Sequence, residues 1–295
     1  MHRYLRSIGF STYEKKRDIE RLLDELETAA SRSRIQIDID TNLCELRAEL
    51  APGMGVVMAG EMDENGRFRR EYYYPYLTSQ DVSSKADCSI QRHTEKETYA
   101  GLLDEYRVGI SLIFYLENGF EYRERTLDKQ SRRVESVRLC GLAEEGKILL
   151  PVYKTRKQRE VAQVAAKNRC SLIEAAKNGD EEAIETLTIE DIDLYSQVSR
   201  RAVKEDIYSI VDSCFMPSGI ECDQYSIVGE IIGIEEKQNR VTGELVYDLT
   251  LDCNDMVFHV GIGARDLLGE PRTGRRFKGQ IWMQGRADFQ SDNIK

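Results

Sequence analysis

In this 295-residue sequence the residues best placed to hold a metal are His93, Glu95 and Glu97, which alternate. On a strand, residues two apart project from one face, so an imidazole and two carboxylates would converge with the nitrogen and oxygen donors a divalent ion accepts. The chain has only 3 histidines, and none stands four residues from another, so the triplet reads as a solvated polar strand or turn. Cys222 lies between Glu221 and Asp223, carboxylates that disfavour the thiolate and make a buried structural cysteine the better reading. The acid pairs Asp104-Glu105, Glu190-Asp191 and Glu205-Asp206 have the group types of a general acid and base, but adjacency in sequence does not set them around a substrate. On helices such pairs serve as solvated or first-turn groups. Gly53-Met54-Gly55 lacks the rest of a dinucleotide fingerprint, and neither a phosphate loop nor a nucleophile elbow occurs. No metal or cofactor is expected.

Two segments have the composition of binding surfaces. The run Tyr72, Tyr73, Tyr74, Pro75, Tyr76 puts phenols on both faces of a strand, as an interaction surface would. A strand buried on one side, its hydroxyls bonded at the edge, is the commoner arrangement. Arg272, Arg275, Arg276 and Lys278 stand near Phe277 and Trp282, a mixture of basic and aromatic groups found in single-strand nucleic-acid grooves. Asp266 and Glu270 lie beside them, so local pairing is expected. The net charge of −10 works against phosphate, and from Ser226 onward 9 basic groups face 11 acidic ones. Nucleic acid is therefore an unlikely partner.

The elements that must position these residues follow from periodicity. Ser11 and Glu14 have capping-box spacing, and Ile19, Leu22, Leu23 and Leu26 mark one face of a helix over Thr12–Ala30. The period then becomes two over Arg34–Asp40. Hairpins are expected around Asn65-Gly66, joining 55–62 to 68–76, and around Asn118-Gly119, joining 108–117 to 120–125. A third is expected around Glu145-Gly146, joining 134–142 to 147–153. Residues 1–154 thus read as an α+β domain on an antiparallel sheet. Residues 155–219 read as helical: one helix over 155–177 ending at Asn178-Gly179, shorter ones begun by Asp180 and by Thr188 with Asp191, and another over 204–215. Residues 220–295 read as strands at 225–235, 245–251 and 257–262, a turn at 264–268, and a long strand at 276–289 that Gly279 and Gly285 allow to bend. Their order and size suggest a small OB-like barrel, which needs a fifth strand from the bent strand or from elsewhere.

No run approaches the roughly 18 apolar residues of a membrane helix, arginines interrupt the start of the chain, and seven dispersed cysteines suit reduced thiols. A cytoplasmic location is expected. Several segments are also similar in wording to known sequences: Tyr99-Ala100-Gly101, Ser111 to Leu116, Glu205 to Val211, Phe215-Met216-Pro217, Glu221-Cys222-Asp223, and Gly269-Glu270-Pro271 leading to Arg275 through Gly279. Together they resemble a family of bacterial proteins, mostly from anaerobic Gram-positive species, classed as a domain of unknown function. The resemblance runs from Met1 to about Phe289 and implies a cytoplasmic bacterial protein, with no catalytic or binding residue carried over. Without catalytic motifs, the leading expectation is a non-catalytic binding or scaffolding protein that meets a protein partner or another copy of itself. Its alternatives are a hydrolase assembled from dispersed carboxylates and an OB-like single-strand binder. A pocket with converging titratable groups would favour the enzyme, a flat apolar patch the interaction protein, and a basic groove nucleic acid.

Overall fold

The computed structural model describes residues 3–36, 42–93, 98–108, 110–152, 164–165, 168–169, 171–176, 178–219 and 222–290. The fold is α+β. A 3-10 turn over Arg3–Ile8 leads to α1 (Lys16–Ala29), and then β1 (Ser31–Gln36), β2 (Asn42–Ala51), β3 (Met54–Met62) and β4 (Phe68–Leu77) form an antiparallel sheet in that order. α1 lacks the expected capping box: its N-cap is Lys15, and Ser11 instead bonds the Glu244 carboxylate with its hydroxyl at 2.8 Å. The apolar stripe is as expected, with Ile19, Leu22, Leu23 and Leu26 buried. Of the strand expected over 34–40, residues 37–40 lie outside the described residues.

The second sheet is larger. It comprises β5 (Cys88–Arg92), β6 (Tyr99–Glu105), β7 (Ile110–Leu116), β8 (Val134–Leu149), β9 (Cys214–Pro217), β10 (Gln224–Gln238), β11 (Leu245–Cys253), β12 (Met256–Gly263), the two-residue β13 (Leu267–Leu268) and β14 (Arg276–Phe289). Within it β10 pairs with β11, β11 with β12, β12 with β8, β8 with β14, and β14 with β10. These five strands therefore close a circuit of pairings. Residues 220–295 supply four of these strands, and the fifth, β8, comes from far earlier in the chain. Val137, Leu139 and Ala143 of β8 join the core inside the circuit, whereas Cys140 and Leu142 face a second core shared with α1 and the four-stranded sheet. β8 is buried on both faces, and so holds the two cores together.

The Asn65-Gly66 hairpin forms, with Gly66 alone of the pair at positive φ (74°). Asn118-Gly119 does not make a hairpin. Asn118 sits at φ −99° and opens α2 (Gly119–Leu127), because its amide pairs with β14 instead, donating to the Ala287 carbonyl at 2.9 Å and accepting from the Ala287 N–H at 3.0 Å. Two backbone-like bonds to a distant strand outweigh a local turn preference. Gly119 needs no positive φ, but a Cβ there would come within 2.9 Å of the Tyr99 ring. Glu145-Gly146 is no turn either: β8 runs straight through it, paired at Gly146 with both Leu267 and Gly279. The bend in β14 falls at Gly279, as expected, while at Gly285 a side chain is excluded by the Phe114 ring.

In the middle segment residues 164–165, 168–169 and 171–176 are helical, and the rest of the helix expected over 155–177 lies outside the described residues. Gly179 takes φ +88° and ends it. Asp180 caps the next helix, accepting from the N–H groups of Glu182 and Ala183, and that helix is long and uninterrupted: α3 (Glu181–Ala202). Thr188 begins no helix of its own, since its hydroxyl bonds the Ile184 carbonyl. Over 204–215 only α4 (Ile207–Ile210) is helical, and Cys214–Pro217 pairs with β10 instead.

Candidate functional site

Residues directly opposite on neighbouring strands share a face. Glu45 on β2 opposes Ala59 on β3, which opposes Tyr72 on β4, and the next row holds Arg47, Val57 and Tyr74. This face of the four-stranded sheet looks toward Tyr115 on β7, Tyr99 on β6 and the first turns of α2. A cavity of about 220 Å³ lies between, walled by Tyr72, Tyr74, Tyr99, Tyr115 and Phe120 and reached by Glu45, Glu61, Glu71 and Arg123. A bulge opposite Ala59 and Gly60 inserts Glu71 into β4, so that adjacent Glu71 and Tyr72 both reach the cavity. The rings support one another: Tyr74 meets Tyr115 at 4.8 Å between centroids, Tyr115 meets Trp282 at 5.3 Å, and Trp282 donates its indole N–H to Asp223 at 2.7 Å.

Charge is buried in the same wall. The Arg47 guanidinium bonds Glu117 at 2.6 Å, lies 3.6 Å from Glu45 and stacks 4.5 Å from the centroid of Tyr76. Glu117 is 2% exposed, and Tyr74 donates its hydroxyl to the Glu117 carbonyl. Burial opposes the charge on Arg47, but Tyr74, Glu117 and Glu45 outweigh it and raise its pKa. Burial also raises Glu45, because Arg47 counters it only in part and Glu117 adds repulsion. Burial drives the phenols of Tyr74 and Tyr115 well above their ordinary pKa.

The tyrosine run is thus split by the strand's two faces. Tyr72, Tyr74 and Tyr76 turn toward the cavity side, with Tyr74 and Tyr76 buried, and Tyr73 lies half-buried on the opposite face, all four within or against the core shared with α1. The basic cluster does not form one surface. Arg272 pairs with Glu270 at 2.7 Å, and Arg275 bonds the Glu270 carbonyl. Arg276 is 4% exposed and ties down the middle segment, donating to the carbonyls of Leu150, Tyr208 and Val211, while Lys278 bonds the Tyr208 hydroxyl. Carbonyls, more than acids, take up these cations. The acid pairs likewise have structural partners: Glu105 with Arg107, Glu190 and Asp191 with Arg169, Glu205 with Arg201, and Asp206 as the cap of α4. His93 is described, but Glu95 and Glu97 lie outside the described residues, and among those described no three metal-ligating side chains come together. Cys222 is exposed and not buried as expected, since it lies in the turn just before β10, and the six described cysteines are free thiols.

Sequence reasoning passed over a second cluster. His259 on β12 bonds Asp248 at 2.8 Å and Asp81 at 3.1 Å, and Asp248 also meets Lys237, whose ammonium donates to the Pro52 carbonyl. Burial disfavours the imidazolium, yet the two carboxylates outweigh it and raise its pKa. This cluster fastens the five-strand circuit to the turns of the four-stranded sheet. Among the described residues no helix is long and apolar enough to cross a membrane. Neither a curated protein nor a solved structure matches the chain. Residues 5–285 match the family described as "Domain of unknown function, E. rectale Gene description (DUF3881)", and the chain belongs to that family.

Proposed function

We propose that this protein is a non-catalytic binding protein whose ligand site is the tyrosine-walled cleft between the two sheets. The observation that carries this reading is the cleft itself: a cavity of about 220 Å³ at the junction of two packed layers, lined by five aromatic rings, four of them tyrosines, with Glu45, Glu61, Glu71 and Arg123 among them. Its hydroxyl groups are poor nucleophiles, since burial keeps Tyr74 and Tyr115 protonated, and Glu117 is already bound to Arg47. The hydrolase alternative draws on Glu45, whose raised pKa suits a general acid. The five-strand circuit, read as a small OB-like barrel completed by β8, is then the rigid support of the cleft. A basic groove for nucleic acid gains nothing from Arg276 and Lys278, which are spent on the fold.

A ligand-observed fragment screen by NMR tests the reading, run on the wild-type chain and on Ala59→Phe, which fills the cleft from β3. Fragments that bind wild type and are lost in the variant support the site. A screen in which every fragment that binds is indifferent to Ala59→Phe overturns it. A second surface has its own support in α3, where Ile189, Ile192, Tyr195 and Val203, just beyond its end, are 55–82% exposed. This stripe favours self-association, read by sedimentation velocity across concentration. Wild type sedimenting as Ile192→Asp does at every concentration would dismiss it.

A further inference from the structure

We propose that the cleft takes a compact organic cation, an alkylated ammonium, with Glu45 as its counter-charge. This rests on the cleft being a ligand site and adds the chemical class. Size comes first. A cavity of roughly 150 Å³ accommodates benzene, so one of about 220 Å³ suits a molecule only slightly larger. The wall comes second. Tyr72, Tyr74, Tyr99, Tyr115 and Phe120 offer π-systems whose faces carry negative potential, the surface that attracts ammonium groups once water is displaced.

Charge decides between ligands that would fit. Three carboxylates, Glu45, Glu61 and Glu71, reach the cavity against one guanidinium, Arg123. Arg47 only partly neutralises Glu45, because it is drawn to Glu117 at 2.6 Å and stands 3.6 Å from Glu45. Burial without full compensation is why Glu45 holds its proton above the ordinary carboxylate range. A cation in the cleft supplies what Arg47 leaves undone, whereas an anion would meet three carboxylates and a neutral molecule would strip water from Glu45 with nothing in return. Glu45 and Phe120 also border a neighbouring pocket of about 340 Å³, where Glu121 pairs with Arg286 at 2.9 Å and Glu124 and Arg47 complete the charged lining.

Isothermal titration of the intact chain with choline and with its neutral isostere 3,3-dimethylbutan-1-ol tests the proposal. Choline is expected to bind saturably and at least about tenfold more tightly than the alcohol, the scale of a desolvated cation–π contact with a counter-charge. Glu45→Gln is expected to weaken choline about tenfold and leave the alcohol unchanged, and choline affinity should fall as pH drops through the Glu45 pKa. Glu61→Gln, nearer the rim, is the second variant and should give a smaller loss of the same sign. Equal binding of choline and the alcohol, both lost in Ala59→Phe, overturns the cation class and leaves the cleft as a ligand site. No saturable choline binding also overturns the class, and the fragment screen then decides separately whether the cleft binds anything.

Discussion

On one face of the four-stranded sheet, Ile19, Leu22, Leu23 and Leu26 of α1 share a buried cluster with Leu46, Val56 and Met58, all less than a tenth exposed. On the other, Glu45, Arg47, Tyr72 and Tyr74 meet β7 and α2 with a cavity left between. The same three strands therefore carry a sealed face and an incompletely filled one, separated by the thickness of a backbone. Apolar side chains on a helix can slide and interdigitate until space is gone, whereas rings and buried charges must keep their bonding geometry and leave gaps. The open face keeps the buried pair of Arg47 and Glu117 and the unfilled space on which the proposed ligand site rests.

The sharpest break of this contrast is Arg47→Met. It strands the Glu117 carboxylate, 2% exposed, without its partner, and a loss of about 3–5 kcal/mol is expected in urea denaturation. A loss below about 1 kcal/mol would show that the charge on this face is not held by Arg47. Leu23→Ala probes the sealed face, where an entirely buried side chain leaves a void, and the same measurement should fall by about 2–5 kcal/mol. Gly119→Val drives a side chain at the Tyr99 ring, 2.9 Å from where its Cβ would lie, and about 1–3 kcal/mol of overpacking is expected. A wild-type midpoint in that variant would mean the wall of the cleft yields freely.

The smallest effect has the opposite sign. Glu45 has a folded-state pKa raised by burial, so its ionised form disfavours folding at neutral pH, and that penalty disappears as pH falls below the folded pKa. Glu45→Gln should therefore melt at or slightly above the wild-type temperature near pH 7, with the difference shrinking on acidification. Paired thermal melts at several pH values check this. A variant less stable than wild type at neutral pH would mean that Glu45 serves the fold first.

Much of the sealed face was legible in the sequence, and little of the open one. Leu22, Leu23 and Leu26 announce a helix by spacing, and Asn65-Gly66 announces a turn by backbone chemistry, with Gly66 at positive φ. Those signals are local. Glu45 and Arg47 alternate with Cys44 and Leu46, which in sequence reads as a polar face turned to solvent, and only the packing of β7 and α2 over it makes that face an interior. Asn118 misled for the same reason, since its partner Ala287 lies 169 residues away. The tyrosines of β4 were the one visible pointer to the cleft, through composition more than pattern.

β8 has a consequence in time. Its partners on β14 stand well over a hundred residues downstream, with Leu149 opposite Arg276 and Val134 opposite Phe289. At a synthesis rate of about 5–20 residues per second, β8 leaves the ribosome roughly 6–30 seconds before the strand that completes its pairing. Through that interval a long strand, buried on both faces in the finished fold, has an open edge, the condition that invites pairing with another nascent chain. Such distant contacts also slow folding. The yield of folded protein in a cell should therefore depend more on translation speed and on chaperones shielding that edge than the stability of the finished structure would suggest.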